Sequence, residues 1–324
     1  MNTPMRAVVF VDVPGSTPRR VIAATLAHAH ERPDFEVCGF VTANPQMIRR
    51  PRERTADWAR QLLVAATGGA RELSPPFDLG VLGRRTRLPV LLAENGVNDP
   101  DFIADLHRRL RPTVLLSIFS VQIFKDALLE SFEQAVNFHD GPLPRYGGLG
   151  ATTQAVYHGE SSTGCTFHRI TSGIDEGPVL VRTAVPIDET VTGTSVSRAQ
   201  AIAAARAIPE VIDKIVANDP GQPQSGEGSY FSKADYRELS EVPEPSALST
   251  AELQRRLRAF GALTITIDGK NESVDAIGPA DVASTFAFNS AEARLRATRI
   301  AGLPARLLHW RRQLSRTRPQ GRRR

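Results

Sequence analysis

Residues 113–139 read TVLLSIFSVQIFKDALLESFEQAVNFH. TVLLSIF (113–119) and QAVNFH (134–139) are short apolar runs, and VQIFKDALLE (121–130) between them reads as a helix. The first run is nearly continuous in Val, Leu, Ile and Phe. That is the pattern of a strand buried on both faces, as in a parallel sheet covered by helices. Strand, helix and strand in that order make a βαβ unit.

The alternation extends in both directions. Upstream, RAVVFV (6–11) reads as a strand and GSTPRRVIAATLAHAH (15–30) as a helix, with Ser16 or Thr17 as its cap and Pro18 in its first turn. FEVCGFVT (35–42) and PVLLA (89–93) read as strands, TADWARQLLVAA (55–66) and NDPDFIADLHRRL (98–110) as helices, the latter capped by Asn98 or Asp99. Downstream, a helix is expected over 150–158, strands in TGCTFHRI (163–170) and PVLVRTAVPI (178–187), and a long helix over 194–217. The fold class is therefore α/β, a Rossmann-like, doubly wound, mostly parallel sheet, occupying residues 1–217. NDPGQPQSGEGS (218–229) has linker composition. Residues 230–290 fit a small α+β domain, with TAELQRRLRAF as a helix and LTITIDG (263–269) facing ESVDAI (272–277) across an Asp-Gly turn. Residues 291–324 form a basic tail.

Composition narrows the class. The 324 residues are 41% hydrophobic and 23% charged, ordinary for a globular protein. Two cysteines, Cys38 and Cys165, exclude a disulfide framework. No window approaches the roughly 18 apolar residues of a membrane span, and the apolar run in MNTPMRAVVFVDVPG is too short for a secretory signal. A cytoplasmic protein without a membrane partner is expected. The net charge of +5 misleads: residues 301–324 carry eight Arg and no acid, leaving −3 for the rest, and residues 219–300 hold twelve acids against nine bases. The basicity belongs to the tail and is not spread over a folded face, so nucleic acid is not the favoured partner; the basic loop RRPRER (49–54) reads either as a phosphate-holding loop or as an exposed charged loop leading into a helix. VDVPGSTPRR, after the first strand, carries neither a G-x-G-x-x-G fingerprint nor a P-loop.

Ligands of open parallel sheets bind at the carboxyl ends of the strands. Asn137 and His139 stand at such an end, two apart and therefore on one side of the strand. A histidine there can move a proton near neutral pH, and an amide can donate to a developing oxyanion. TSGIDEGPVL (171–180) offers Asp175 as the carboxylate of a relay, while His168 and His158 read as packing or surface groups. No nucleophile elbow, Cys–His arrangement or spaced metal ligands compete, which favours direct attack by a substrate nucleophile and no metal. Pro142 and Pro144 stiffen the loop that follows.

NFHDGPLPRYGG (137–148), with SGIDEGPVL (172–180) downstream, resembles the formyltransferase family that uses 10-formyltetrahydrofolate. The resemblance covers roughly residues 5–215. It implies attack of a primary amine on the formyl carbon, with Asn137 and His139 stabilising the tetrahedral oxyanion and Asp175 assisting His139. It implies a folate beside Leu91, Ser117, Ile118, Phe119, Ser120, Ile123, Gly173 and Ile174, and an acceptor beside Asp140, Pro142, Leu143, Arg145, Tyr146 and Gly147. Members that act on tRNA typically read L-P-R-W-R-G-A-A-P-I-Q. Here the run is LPRYGGLGATTQA, with Gly147 in place of the second Arg. The expected acceptor is a small amine, such as a nucleotide-linked amino sugar or a carrier-bound amine. Initiator tRNA, or water in a 10-formyltetrahydrofolate hydrolase, are the alternatives. A homodimer is a further expectation of the resemblance.

Overall fold

The computed structural model describes residues 3–48, 77–188, 190–244, 247–267, 270–277 and 286–288. The expected helix at 55–66, the basic loop at 49–54, the Asp268-Gly269 turn and the tail at 291–324 lie outside the described residues. The chain divides into two compact units: Met1–Thr152, Ser161–Ile187 and Ser195–Tyr230 form the first, and Thr153–Glu160, Asp188–Thr194 and Phe231–Arg324 the second.

The first unit is built on a seven-stranded sheet: β1 (Met5–Phe10), β2 (Phe35–Thr42), β3 (Val90–Leu92), β4 (Val114–Ile118), β5 (Gln134–His139), β6 (Thr166–Arg169) and β7 (Val179–Arg182). Their order is β3-β2-β1-β4-β5-β6-β7. The first five are parallel, β6 pairs antiparallel with β5, and β7 pairs antiparallel with β6. Side chains alternate along each strand, so β1 and β4 feed two cores. Ala7, Val9, Val114, Leu116 and Ile118 face one, with Val21 and Ile22 of α1 (Ser16–His30) and Ile208, Val211 and Ile215 of a long helix. Val8, Phe10 and Leu115 face the other, with Leu106 and Leu110 of a helix after β3. Burial on both faces is why these runs are continuously apolar.

Further helices among the described residues are α2 (Leu79–Thr86), α3 (Pro100–Leu110), α4 (Asp126–Leu129), α5 (Ala151–Tyr157) and α6 (Gly193–Val216). From β3 the chain recrosses to lay β4 beside β1, so the topological switch point lies between β1 and β4. Ligands of this architecture bind at its carboxyl edge.

Four local readings need correction. The cap of α1 is Gly15, with no side-chain cap bond, rather than Ser16 or Thr17. Residues 121–130 are helical only over Asp126–Leu129, because the Asn98 amide donates to the Ile123 carbonyl (2.7 Å) and its oxygen accepts from Lys125 N–H (2.8 Å), pinning the stretch before the helix. The run 163–170 breaks at Gly164, where a Cβ would lie 1.8 Å from the Thr183 carbonyl oxygen. Helix α2, capped by the Asp78 side chain on Val81 N–H, had no distinct sequence signal.

The second unit holds α7 (Lys233–Ser240), α8 (Thr250–Phe260) and a sheet of β8 (Glu241–Val242), β9 (Leu263–Ile267), β10 (Lys270–Ile277) and β11 (Phe286–Phe288), in that order. Ser232 and Asp235 form a reciprocal capping box on α7. Val242, Leu253, Leu263, Ile265 and Val274 form its core. The expected hairpin pairs antiparallel from Leu263↔Val274 to Ile267↔Lys270.

Candidate active site

The end of β5 sets the geometry. Asn137 lies opposite Ser117 of β4 on one side and opposite His168 of β6 on the other, and His139 lies opposite Thr166. An antiparallel neighbour brings directly opposed side chains together, and the Asn137 Nδ2 is 3.1 Å from His168 Nε2. His168 Nδ1 is 2.8 Å from the Arg169 carbonyl oxygen, which can only accept, so Nδ1 carries a hydrogen. In the neutral ring Nε2 is then the acceptor for one Asn137 N–H; in the protonated ring it donates to Asp175 Oδ1 instead, and in either state an Asn137 N–H remains to donate elsewhere.

His139 is buried, and its Nε2 lies 2.7 Å from the Tyr146 carbonyl oxygen, so that nitrogen too is protonated. Its Nδ1 lies 3.4 Å from Asp175 Oδ2. The other Asp175 oxygen is 3.5 Å from His168 Nε2, and Gly148 N–H donates to Oδ2 at 2.9 Å. One carboxylate thus serves two imidazoles. Burial acts to raise the Asp175 pKa, but the His168 hydrogen bond, the His139 charge and the Gly148 N–H together hold it below the ordinary aspartate value. The structure therefore brings Asn137, His139 and Asp175 together and adds His168, which the sequence reading placed among packing groups. Its signal was register, invisible until β6 is paired with β5.

The backbone around this cluster is forced. Phe119, Tyr146 and Asp175 adopt left-handed φ values of 58°, 61° and 58°, a conformation that costs non-glycine residues energy and gathers at functional sites. A Cβ on Gly141 would lie 2.7 Å from His139 Nε2 and 2.9 Å from the Tyr146 oxygen, so only glycine lets the loop close on the imidazole. Thr166, fully buried, donates to the Gly141 carbonyl (2.7 Å) and accepts from Leu143 N–H (3.2 Å), stitching that loop to β6.

A second missed residue is Asp12, at the end of β1 and 3% exposed. Its carboxylate accepts from Thr42 Oγ1 (3.0 Å), Ala43 N–H (2.7 Å), Ser120 Oγ (2.7 Å) and Val121 N–H (3.2 Å). Four donors use all its lone-pair positions. It ties β1, β2 and the loop after β4 together at the switch point.

The other expected residues are distributed unevenly. Leu91 and Ile118 belong to the packed cores, so only their main chain can face a ligand. Ser117 is buried, and its hydroxyl has no hydrogen-bond partner among the described residues. Ser120 is held by Asp12. Val121 and Ile123 after β4, and Ile174 beside Gly173 and Asp175, are large apolar side chains at least half exposed. Leu143 and Tyr146 are buried, Pro142 is half-buried, and Arg145 is exposed with its guanidinium 5.3 Å from the Tyr146 ring centroid. Gly147 donates its N–H to the Ser229 carbonyl at 2.8 Å. Asp140 lines a cavity of about 210 Å³ with Ser16, Thr17, Phe119, Thr152 and Gln200. Gln200 Nε2 donates to the Asp140 carbonyl (3.0 Å), and Thr152 Oγ1 to its carboxylate (3.2 Å). No helix among the described residues is long and apolar enough to cross a membrane.

The profile of the family described as formyl transferase matches residues 5–212. The chain belongs to the formyl transferase family. Within and beside that family, the chain is 32% identical to a GDP-perosamine N-formyltransferase of Brucella melitensis over 187 residues, 55% of this chain and 65% of the relative. It is 34% identical to a methionyl-tRNA formyltransferase of Dechloromonas aromatica over 125 residues, 39% of each. The chain thus spans less than two thirds of the length of these curated relatives. A sugar N-formyltransferase structure from a Shewanella species superposes with a TM-score of 0.59 at 17% identity, covering 82% of this chain and 95% of that one, which shows a shared fold.

Proposed function

We propose that this chain transfers a formyl group from 10-formyltetrahydrofolate to the primary amine of a small molecule, a nucleotide-linked amino sugar being the favoured class. The observation that carries the reading is the convergence of Asn137, His139 and Asp175 at the carboxyl end of β5. The likeness to a GDP-perosamine N-formyltransferase, over a longer stretch than to the tRNA enzyme, supports the acceptor class. The acidic balance of residues 219–300 argues against a tRNA-gripping surface there.

Two features fit the folate. The exposed apolar Val121, Ile123 and Ile174 offer faces for a flat heterocycle. The main chain after β4, held in place by Asp12, offers polar edges. The folate, when bound, supplies the activated formyl group. The chain's own residues do the rest. The free N–H of Asn137 donates to an oxygen that gains negative charge as the amine adds. His139, fixed between the Tyr146 carbonyl and Asp175, holds the proton that the amine sheds and would pass it to the donor nitrogen that departs as its bond to the formyl carbon breaks. The Asp140 carboxylate, at the wall of the 210 Å³ cavity, attracts an acceptor that arrives as an ammonium. That volume is below the roughly 300 Å³ lower end of drug-sized pockets and suits a single sugar-sized group.

The test is direct. Asn137→Ala is expected to lose about 10²–10³ in kcat, the scale of one oxyanion donor, and His139→Asn to abolish formyl transfer. Full activity in His139→Asn removes the site assignment.

A further inference from the structure

Residues 222–229 have the composition of a linker, yet they run along the first unit as a strap. Gln222 pairs with Val179 through both main-chain hydrogen bonds (2.7 and 2.8 Å). The Gln224 side-chain amide then donates to two carbonyl oxygens of the Asp175 loop, those of Asp175 (2.7 Å) and Gly177 (2.9 Å). Five residues on, Ser229 Oγ accepts from Tyr146 N–H (2.8 Å), its carbonyl accepts from Gly147 N–H (2.8 Å), and its own N–H donates to the Pro144 carbonyl (3.2 Å).

The two residues so gripped, Asp175 and Tyr146, are the ones that contact the two nitrogens of His139. Both are held at a left-handed φ that a non-glycine residue keeps only when its surroundings over-determine it. Each has a strap hydrogen bond on its own main chain: Gln224 on the Asp175 carbonyl, Ser229 on the Tyr146 amide. A closed circuit results, from His139 to Tyr146, to Ser229, along the strap to Gln224, to Asp175 and back to His139. Gly148 N–H on the Asp175 carboxylate braces it.

We infer that Gln224 and Ser229 are positioning residues, which set the conformations of Asp175 and Tyr146 and thereby the orientation of His139. The inference rests on the proposed formyl transfer only for its kinetic consequence. Gln224 touches no reacting atom. It acts through Asp175, and its amide is suited because it presents two donors to two carbonyls, which neither Glu nor Ala can do.

Purified Gln224→Ala, Ser229→Ala and Ser229→Thr are compared with wild type by amide hydrogen exchange, thermal midpoint and steady-state formyl transfer. In Gln224→Ala the Gly148 amide, which reports the Asp175 carboxylate, is expected to exchange at least about 10-fold faster, as local opening predicts. In Ser229→Ala the Tyr146 amide does so, and Ser229→Thr restores its protection. The expected kcat of Gln224→Ala is down about 10²-fold, the cost of a small misplacement of a catalytic group, with KM for the amine within about twofold. Unchanged exchange at Gly148 in Gln224→Ala overturns the inference, whether or not the wild type transfers formyl groups. Faster exchange with kcat intact also overturns it, because the strap would then be structural only. A wild type that transfers no formyl group refutes the functional reading, and the exchange result still decides the strap.

Discussion

At the scale of single residues, the account makes Gly141 as decisive as the polar groups around it. A methyl group there meets His139 Nε2 at 2.7 Å and the Tyr146 oxygen at 2.9 Å. Gly141→Ala is therefore expected to keep the fold but lose about 10²-fold or more in kcat by displacing His139, which a paired measurement of kcat and far-UV circular dichroism checks. Asp175 makes a pH prediction. Its native pKa lies below the ordinary value, so its ionised form stabilises the folded state. That contribution is fully present above the unfolded value of about 3.9 and is lost as pH falls through the lower native value. The stability gap between wild type and Asp175→Asn should narrow on acidification below about pH 4; thermal midpoints from about pH 5 downward would show a gap of fixed size if this is wrong. Asn137 and His139 were legible because i and i+2 in a strand share a side. His168 was not, because it reaches the site through a cross-strand register that only pairing defines.

At the scale of elements, the site depends on how strand ends are joined. Asp12 is the fastener: four donors from β2, its exit and the loop after β4 converge on one buried carboxylate. Asp12→Ala leaves buried donors unpaired and should destabilise the chain by roughly 3 kcal/mol, read from the urea midpoint. An unaffected midpoint would show that the loop after β4 is held otherwise. Sequence patterns gave β2 and β5 their full extents, since each is an apolar run bounded by turn residues. They misread 121–130, where an apparent helical run is pinned open by Asn98, and leave Val121 and Ile123 facing solvent. The strap at 222–229 escaped notice for a related reason: Gly, Pro and polar residues describe a linker equally well whether or not its amides find partners.

At the scale of the whole molecule, the doubly wound sheet followed from continuous apolar runs, and the two cores on its faces explain why those runs do not alternate. The hairpin and the helix expected in the small second unit came from one alternating pair of runs and the helical run TAELQRRLRAF. What composition cannot supply is the acceptor. The net charge of +5 conceals a basic 301–324 and an otherwise acidic chain. The most direct measurement incubates the purified chain with 10-formyltetrahydrofolate and, separately, a panel of nucleotide-linked amino sugars, aminoacylated initiator tRNA, or no acceptor. Mass spectrometry of the acceptor is read alongside tetrahydrofolate release. The account predicts a formylated amino sugar, with release dependent on that amine and abolished in His139→Asn. Release at full rate without an acceptor, or formylation of the aminoacylated tRNA alone, would contradict it.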